Sequence, residues 1–431
     1  MKTNLKFLLI LPVFLVLTQC KKQTSDPIAI PDNNFKKFLI KAGIDTDGDG
    51  NISSAEASAV KTLRIVNGFI SDLTGIESFV NLDTLTCDGN MITSLDVSMN
   101  KNLVFLSCEQ NKLSALDISK NQALSTLYCS QNEITSLDLS KNPLVTLGCY
   151  ENKLTSLDIS GKSTLYYIYC DHNQITTLNV KGDTALKILL CGYNQIPSLD
   201  LSSCSALECL DISSNFPLEN LDLSHNVLLE VVWCNGPTQL HHLNISNLPV
   251  LRELECWGIA TAGLIETLDL TGDIALHSID CNHNKLTQLD LPGCSTLEEL
   301  NCDYNNLSSL DVLKNQALST LYCSQNEITS VDISNNFLMW RFKCDHNKLT
   351  NLDVTKNPGL QTLSCGANLL TSLDISHNAA LKNSYPLTSL FINDMPTLNK
   401  VCVWETTFPP VDMSIDATGS PNVIFSTDCS N

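Results

Sequence analysis

The sequence is poor in positive charge: 26 Lys and Arg stand against 46 Asp and Glu in 431 residues, a formal charge of -20. A nucleic-acid binder needs a basic patch to meet phosphate, and this balance repels it. Charged residues of both signs make up 17% of the chain and aromatics 6%, while 43% is hydrophobic. That combination argues against disorder and for a core of small and aliphatic side chains. Long apolar runs are lacking as well. The one candidate, the eleven residues from Phe7 to Leu17, is too short for a hydrocarbon core roughly 30 Å thick. There is no nucleophile elbow, glycine-rich phosphate loop or zinc-protease motif, so no catalytic constellation is expected. Cysteine, by contrast, is plentiful: 19 residues, dense for a cytosolic enzyme, in a chain too long to be a small disulfide-stapled domain.

Position explains the cysteines. The pattern L-x-x-L-x-C-x-x-N recurs every 20 or 21 residues, from LDTLTCDGN at Leu82 through LVFLSCEQN at Leu103 and LSTLYCSQN at Leu124. Thirteen cysteines share its cysteine slot: Cys87, Cys108, Cys129, Cys149, Cys170, Cys191, Cys234, Cys256, Cys281, Cys302, Cys323, Cys344 and Cys365. A second half follows each first, T-S-L-D-[LIV]-S-x-N, which places Asp96, Asp117, Asp138, Asp158, Asp200, Asp222, Asp269, Asp290, Asp311, Asp332, Asp353 and Asp374 in one slot.

On these motifs the chain resembles a bacterial leucine-rich-repeat protein of the internalin-like kind, in the subclass whose 21-residue repeat is two nested halves. The resemblance covers residues 63–403 with about fourteen regular repeats. It implies a leucine-rich-repeat solenoid, a surface location and a protein ligand. The physics points the same way. Alternating apolar positions in L-x-x-L-x-C give a strand with one buried face, and stacked coils supply the cover that one coil lacks. Twenty-one residues leave no room for a full helix. A β-rich solenoid is therefore expected, with a parallel sheet on one face, short extended segments on the other, and a length of about 70 to 80 Å at roughly 4.8 Å per coil. Asn90, Asn111, Asn132 and their equivalents recur where the chain turns, where an amide can bond adjacent coils and tolerate turn conformations. The cysteines are expected to be inert buried thiols. Twelve carboxylates stacked about 5 Å apart would repel by about 0.8 kcal/mol per neighbour in water. Either the adjacent Ser, Thr and Lys residues compensate, or divalent cations bind along the ladder.

Both ends depart from the repeat. Lys2 and Lys6, the apolar run and Leu17-Thr18-Gln19-Cys20 resemble a lipoprotein signal, in which Cys20 becomes the acylated first residue and lipid is the only membrane attachment. The other reading is an ordinary cleaved secretory signal. Either places the protein outside the cytoplasm, in the cell envelope, as an outer-membrane or surface lipoprotein or else secreted. Asp45-Thr46-Asp47-Gly48-Asp49-Gly50-Asn51-Ile52-Ser53-Ser54-Ala55-Glu56 matches the twelve-residue EF-hand calcium loop. Asp45, Asp47, Asp49, Asn51, Ser53 and Glu56 are the expected oxygen ligands for a structural Ca2+. Its alternative is an Asp-Gly turn followed by a helix with a Ser53–Glu56 capping box. Phe35, Phe38 and Leu39 suit an entering helix, and Ala55 to Val60 an exiting one. Cys402 and Cys429 flank the Pro-rich tail and are expected to form a disulfide. The divisions are thus signal 1–20, tether 21–31, EF-hand-like cap 32–62, repeats 63–403 and C-terminal cap 404–431.

Function is expected on the surface. Tyr128, Tyr150, Tyr166, Tyr167, Tyr169, Tyr193, Trp233, Trp257, Tyr304, Tyr322 and Trp340 occupy variable positions of the first half-repeat and should project from the sheet, among acids such as Glu109, Asp211, Glu255, Asp280 and Asp303. Tyr and Trp are enriched at binding hot spots, yet stacked rings also stabilise a sheet by cross-strand packing. The expected function is non-catalytic protein recognition, with glycan binding on the aromatic face as the alternative. Residues 120–136 and 314–330 are the same seventeen residues, KNQALSTLYCSQNEITS, which suggests duplication of coils. A four-residue excess around Gly258 to Gly263 predicts a bulge.

Overall fold

A computed structural model describes residues 26–429, except 237–238, 260–263, 292, 385–387 and 411–412. The expected signal segment with Cys20, the first residues of the expected tether and most of the expected bulge lie outside the described residues.

Each regular first half-repeat folds as a three-residue strand, and these strands, with Thr62–Arg64 before them and Thr388–Phe391 and Ser414–Asp416 after, pair in parallel as one continuous seventeen-strand sheet. The register is the same from coil to coil. Leu63, Leu85, Leu106 and Leu127 pair in sequence and form a buried row, each side chain contributing roughly 1.5–3 kcal/mol by leaving water. One position beyond each strand lies the cysteine. All thirteen are buried free thiols, and their amides continue the ladder, as when the Cys108 N–H donates to Tyr128 O at 2.8 Å. Several thiols donate onward to the next coil, Cys87 Sγ to Ser107 O at 3.5 Å and Cys302 Sγ to Tyr322 O at 3.4 Å. Burial pushes the thiols well above their ordinary pKa, so they stay protonated and unreactive.

The opposite face carries short pieces of sheet rather than helix, among them Ser156–Asp158 with Thr177–Asn179 and the trio Asn220–Asp222, His242–Asn244 and Thr267–Asp269. The stack does not stop at residue 403, where the repeats were expected to give way to a cap. Ser414–Asp416 pairs with Thr388–Phe391 in the main sheet, and Ile424–Ser426 pairs with Lys400–Cys402 behind it. The tail supplies a further coil, and Cys402 and Cys429 are joined by a disulfide with Cα atoms 5.4 Å apart. At the other end, helix α1 (Asn33–Lys41), helix α2 (Ser54–Ala59) and the loop between them cover the first coil with Phe35, Leu39, Ala57 and the loop's Ile52. Asp32 ties this cap down. Its Oδ1 accepts the Asn34 and Phe35 N–H groups that start α1, and its Oδ2 accepts the Ser71 N–H and hydroxyl.

Asparagine closes each coil. Asn111 Nδ2 donates to Cys87 O and Cys108 O, while its Oδ1 accepts the Ile92 N–H at 3.1 Å, so one amide serves two coils. The residue that takes up the turn conformation is not the asparagine, as the sequence pattern suggested, but the one before it. Gln110, Gln131, Glu151, His172, Tyr193, Ser214, His283, Tyr304, Gln325, His346 and Ala367 all sit at φ between 50° and 56°. The asparagine must keep its side chain inside the coil, so the preceding residue absorbs the reversal, at the roughly 1–2 kcal/mol of a left-handed L-residue.

Candidate recognition face

Strand positions one and three, and the residue after the cysteine, point away from the core and tile the outer face of the seventeen-strand sheet. The aromatic residues expected to project lie at these positions or beside them, Tyr166 and Trp340 just before a strand and Tyr193 and Tyr304 two residues after a cysteine, half-buried or exposed and in separate groups. Tyr128 stands 5.9 Å from Phe105, over a gap left by Gly148, where a Cβ would lie 2.6 Å from the Tyr128 ring. Tyr166 and Tyr167 meet edge to face at 6.2 Å, and Tyr169 pairs in register with Leu190. Tyr193 stacks on His172 and Tyr304 on His283, each at 4.2 Å and 15°, because the left-handed positions of consecutive coils lie side by side. Tyr322 and Trp340 carry the chain's own cations: Arg341 lies 4.4 Å from the Trp340 ring centre, Lys343 Nζ 4.9 Å from that of Tyr322, and Arg341 Nη1 donates to the Tyr322 hydroxyl. Cross-strand packing thus accounts for several rings.

One group is arranged differently. Tyr193, Trp233 and Trp257 line a shallow concavity of about 260 Å³ with Asp211, Glu253 and Glu255. Trp233 lies in register between Asp211 and Glu255. Its Nε1–H donates to Glu253 Oε1 at 2.8 Å, and Asn235 Nδ2 donates to Glu255 Oε2 at 2.6 Å. Gly192 keeps the space in front of Asp211 open, since a Cβ there would stand 3.1 Å from both carboxylate oxygens. Glu253, Asn235 and Ser213 were not singled out from sequence. Their signal was a slot shared with residues that were: Glu253 opens its strand as Tyr167 does, and Asn235 and Ser213 follow the cysteine slot as Tyr150 and Trp257 do. Farther along, burial pushes Asp303 up to about 6, against the opposing Ser324 N–H and Lys343, and also raises Asp280.

At the N-terminal loop the carboxylate oxygens of Asp45, Asp47 and Asp49 converge within 4.8 Å of one another. Asp45 accepts the Gly48 and Gly50 N–H groups, and Asn51 Oδ1 accepts from Lys36 Nζ. Glu56 completes the capping box with Ser53 and also accepts the Thr46 N–H and hydroxyl. Hydrogen bonds from the Ser53 N–H and the Thr46 hydroxyl hold its carboxyl down to about 2. The flanks are shorter than the motif suggests: α1 ends at Lys41, four residues before Asp45, and α2 has only six residues.

The rear aspartates are exposed or half-buried, and those followed by an N–H two residues along are capped locally. Asp96, Asp117 and Asp138 accept the N–H of Ser98, Ser119 and Ser140 at 2.8–2.9 Å, which lowers their pKa. The main donor is a backbone amide two residues along, an Asx turn, reinforced by the serine hydroxyls. A second buried asparagine row follows. Asn100, Asn121, Asn142, Asn226, Asn336, Asn357 and Asn378 each donate to two carbonyls of the preceding coils. Cys204, Cys294, Asp183 and Asp273 replace asparagine in this slot. In the two aspartates Oδ1 accepts a backbone N–H and Oδ2 has no partner, and burial pushes both up to about 6.

No family model matches the sequence. Among curated proteins, Internalin J of Listeria monocytogenes serotype 4b strain F2365 is 36% identical over 70 residues, a stretch that is 16% of this chain and only 8% of that protein. Among solved structures, the functional domain of Internalin J from Listeria monocytogenes, which includes a cysteine ladder, aligns with a TM-score of 0.66 at 30% identity, over 88% of this chain and 77% of that one. A Leptospira interrogans leucine-rich-repeat protein aligns with a TM-score of 0.64 at 20% identity, over 86% of this chain and 97% of that one, a likeness of fold. The coil length, the stacked cysteines and the identity to the Internalin J domain across most of its length lead to one conclusion: the chain belongs to the internalin-like leucine-rich-repeat family.

Proposed function

We propose that the chain is a non-catalytic binding protein of the cell envelope whose outer sheet face recognises a protein. The observation that carries this reading is the continuous seventeen-strand face studded with exposed and half-buried Tyr, Trp, Asp and Glu. Leucine-rich-repeat scaffolds serve protein recognition, and such a face offers rigid aromatic anchors at low entropic cost. The full chain immobilised as bait should retain one protein from envelope extracts, and Tyr167→Ala with Trp233→Ala should abolish retention. Binding to a glycan array lost in the same variants, with no protein retained, would instead favour the glycan reading.

The loop from Asp45 to Glu56 holds a structural Ca2+ in this proposal. Convergence of the Asp45, Asp47 and Asp49 carboxylates suits a hard divalent cation, with Asn51, Ser53 and Glu56 as the remaining proposed ligands. Calcium titration by calorimetry should give one site, absent in Asp45→Asn, and chelation should lower the melting temperature of the cap. An unchanged calorimetric trace in wild type would refute it. Cys20 is proposed as the lipid-bearing residue. Metabolic labelling with a palmitate analogue should label the wild type and not Cys20→Ser.

A further inference from the structure

The outer face holds two aromatic groups whose electrostatics are opposite. In the coils from Tyr322 to Lys343 the rings of Tyr322 and Trp340 are each covered by a cation of the chain itself. In the coils from Tyr193 to Trp257 the rings stand among Asp211, Glu253 and Glu255, and among the described residues no Lys or Arg lines the concavity. The basic side chains carried by those coils in the row before the strands, Lys187 and Arg252, lie against Glu208 at 2.6 Å and Glu230 at 3.8 Å. A ring face attracts a cation, and a flanking carboxylate strengthens the attraction. Trp233 has a carboxylate neighbour in register on both sides and a third on its indole N–H. Hydrogen bonds occupy only one oxygen each of Glu253 and Glu255, and Gly192 leaves Asp211 uncrowded.

We propose that the concavity of Tyr193, Trp233 and Trp257 seats a lysine or arginine side chain from an extended basic segment of the protein partner, in the place that Arg341 and Lys343 fill for Tyr322 and Trp340. This rests on the reading of the outer face as a protein-binding surface and specifies the chemistry of its partner. The chain's net charge of -20 steers such a segment toward the surface, and the concavity supplies the selectivity.

The test uses the full chain and a fluorescein-labelled ten-residue peptide alternating Arg and Ser, with its Glu-Ser counterpart as control, read by anisotropy at 150 mM NaCl. The Arg peptide should bind and the Glu peptide should not. Glu253→Gln with Glu255→Gln preserves side-chain shape and should weaken binding at least tenfold, as should Trp233→Ala. Asp332→Asn with Asp353→Asn removes the same charge from the rear and should change it less than twofold. Equal weakening by the front and rear pairs, or no binding of the Arg peptide, overturns the proposal, and the glutamine pair keeps the test decisive if Trp233→Ala unfolds. A native partner whose retention depends on Tyr167 but ignores the glutamine pair would refute the cation seat alone. Retention indifferent to every outer-face substitution would refute the surface reading too.

Discussion

Asn132 shows how one side chain can hold a coil. Its Nδ2 reaches Cys108 O, Cys129 O and Ser130 O, and its Oδ1 takes the Leu113 N–H, so truncation leaves buried backbone groups unpaired at roughly 1–3 kcal/mol each. Asn132→Ala should lower the local opening free energy by about 3 kcal/mol in native-state hydrogen exchange of the coils around residues 106–150. Protection unchanged there would contradict the role. Asp183 and Asp273 are the reverse case, charged groups where the slot wants an amide. Their folded pKa of about 6 lies above the ordinary 3.8, so the folded state holds protons that the unfolded chain has already released. Their ionisation therefore costs stability progressively as pH rises from about 4 to about 6. Asp183→Asn and Asp273→Asn should raise Tm at pH 7.5 and lose that advantage by pH 4. An advantage independent of pH would point to a cause other than charge. The asparagine positions could be read from the repeat, whereas the left-handed residue before each could not. That strain is set by what the neighbouring coil demands of the amide, and Gln, Glu, His, Tyr, Ser and Ala all adopt it at the same slot.

Among elements, the two ends of the stack differ most from what periodicity suggests. The N-terminal helices and their acidic loop were legible because helix spacing and the twelve-residue motif are local signals. Their docking through Asp32 to Ser71 was not, since it joins residues 39 apart. At the other end the L-x-x-L-x-C pattern does not mark Ser414–Asp416 or Ile424–Ser426, yet both find strand partners. An open sheet edge satisfies the backbone of any extended segment brought to it, and Cys402–Cys429 holds the segment there across a sequence separation of 27. Loop-closure arithmetic gives such a crosslink about 3–4 kcal/mol. Cys429→Ser should therefore strip exchange protection from residues 414–426 and leave that of residues 84–364 unchanged. Loss spread along the whole stack would refute a clasp confined to the last coil.

For the whole molecule, stability is a sum over coils and their contacts with neighbours. The strand pairing Thr320 with Arg341 repeats after 21 residues in the same register, so deleting residues 320–340 should leave a folded, shorter solenoid with a similar circular-dichroism spectrum and a Tm lower by a few degrees. Deleting only half a coil, residues 320–330, brings the rear-face strand Val331–Asp332 to the main-sheet position and should cost far more. Equal tolerance of both deletions would argue against register as the organising constraint. The leucine, cysteine and asparagine rows, the parallel solenoid and the acidic loop were determined by sequence alone, because each depends on a residue's own slot and a fixed period. What the outer face presents was decided by tertiary structure. The seventeen residues of 120–136 and 314–330 are identical, yet Tyr128 lies beside Phe105 and over Gly148, while Tyr322 meets Arg341 and Lys343. Likewise Trp233 gains its carboxylate neighbours only because strands about 22 residues apart in sequence stack at about 4.8 Å in space. A side chain's slot is written in its own repeat, but its neighbours across the sheet belong to other coils and are fixed only when the coils stack.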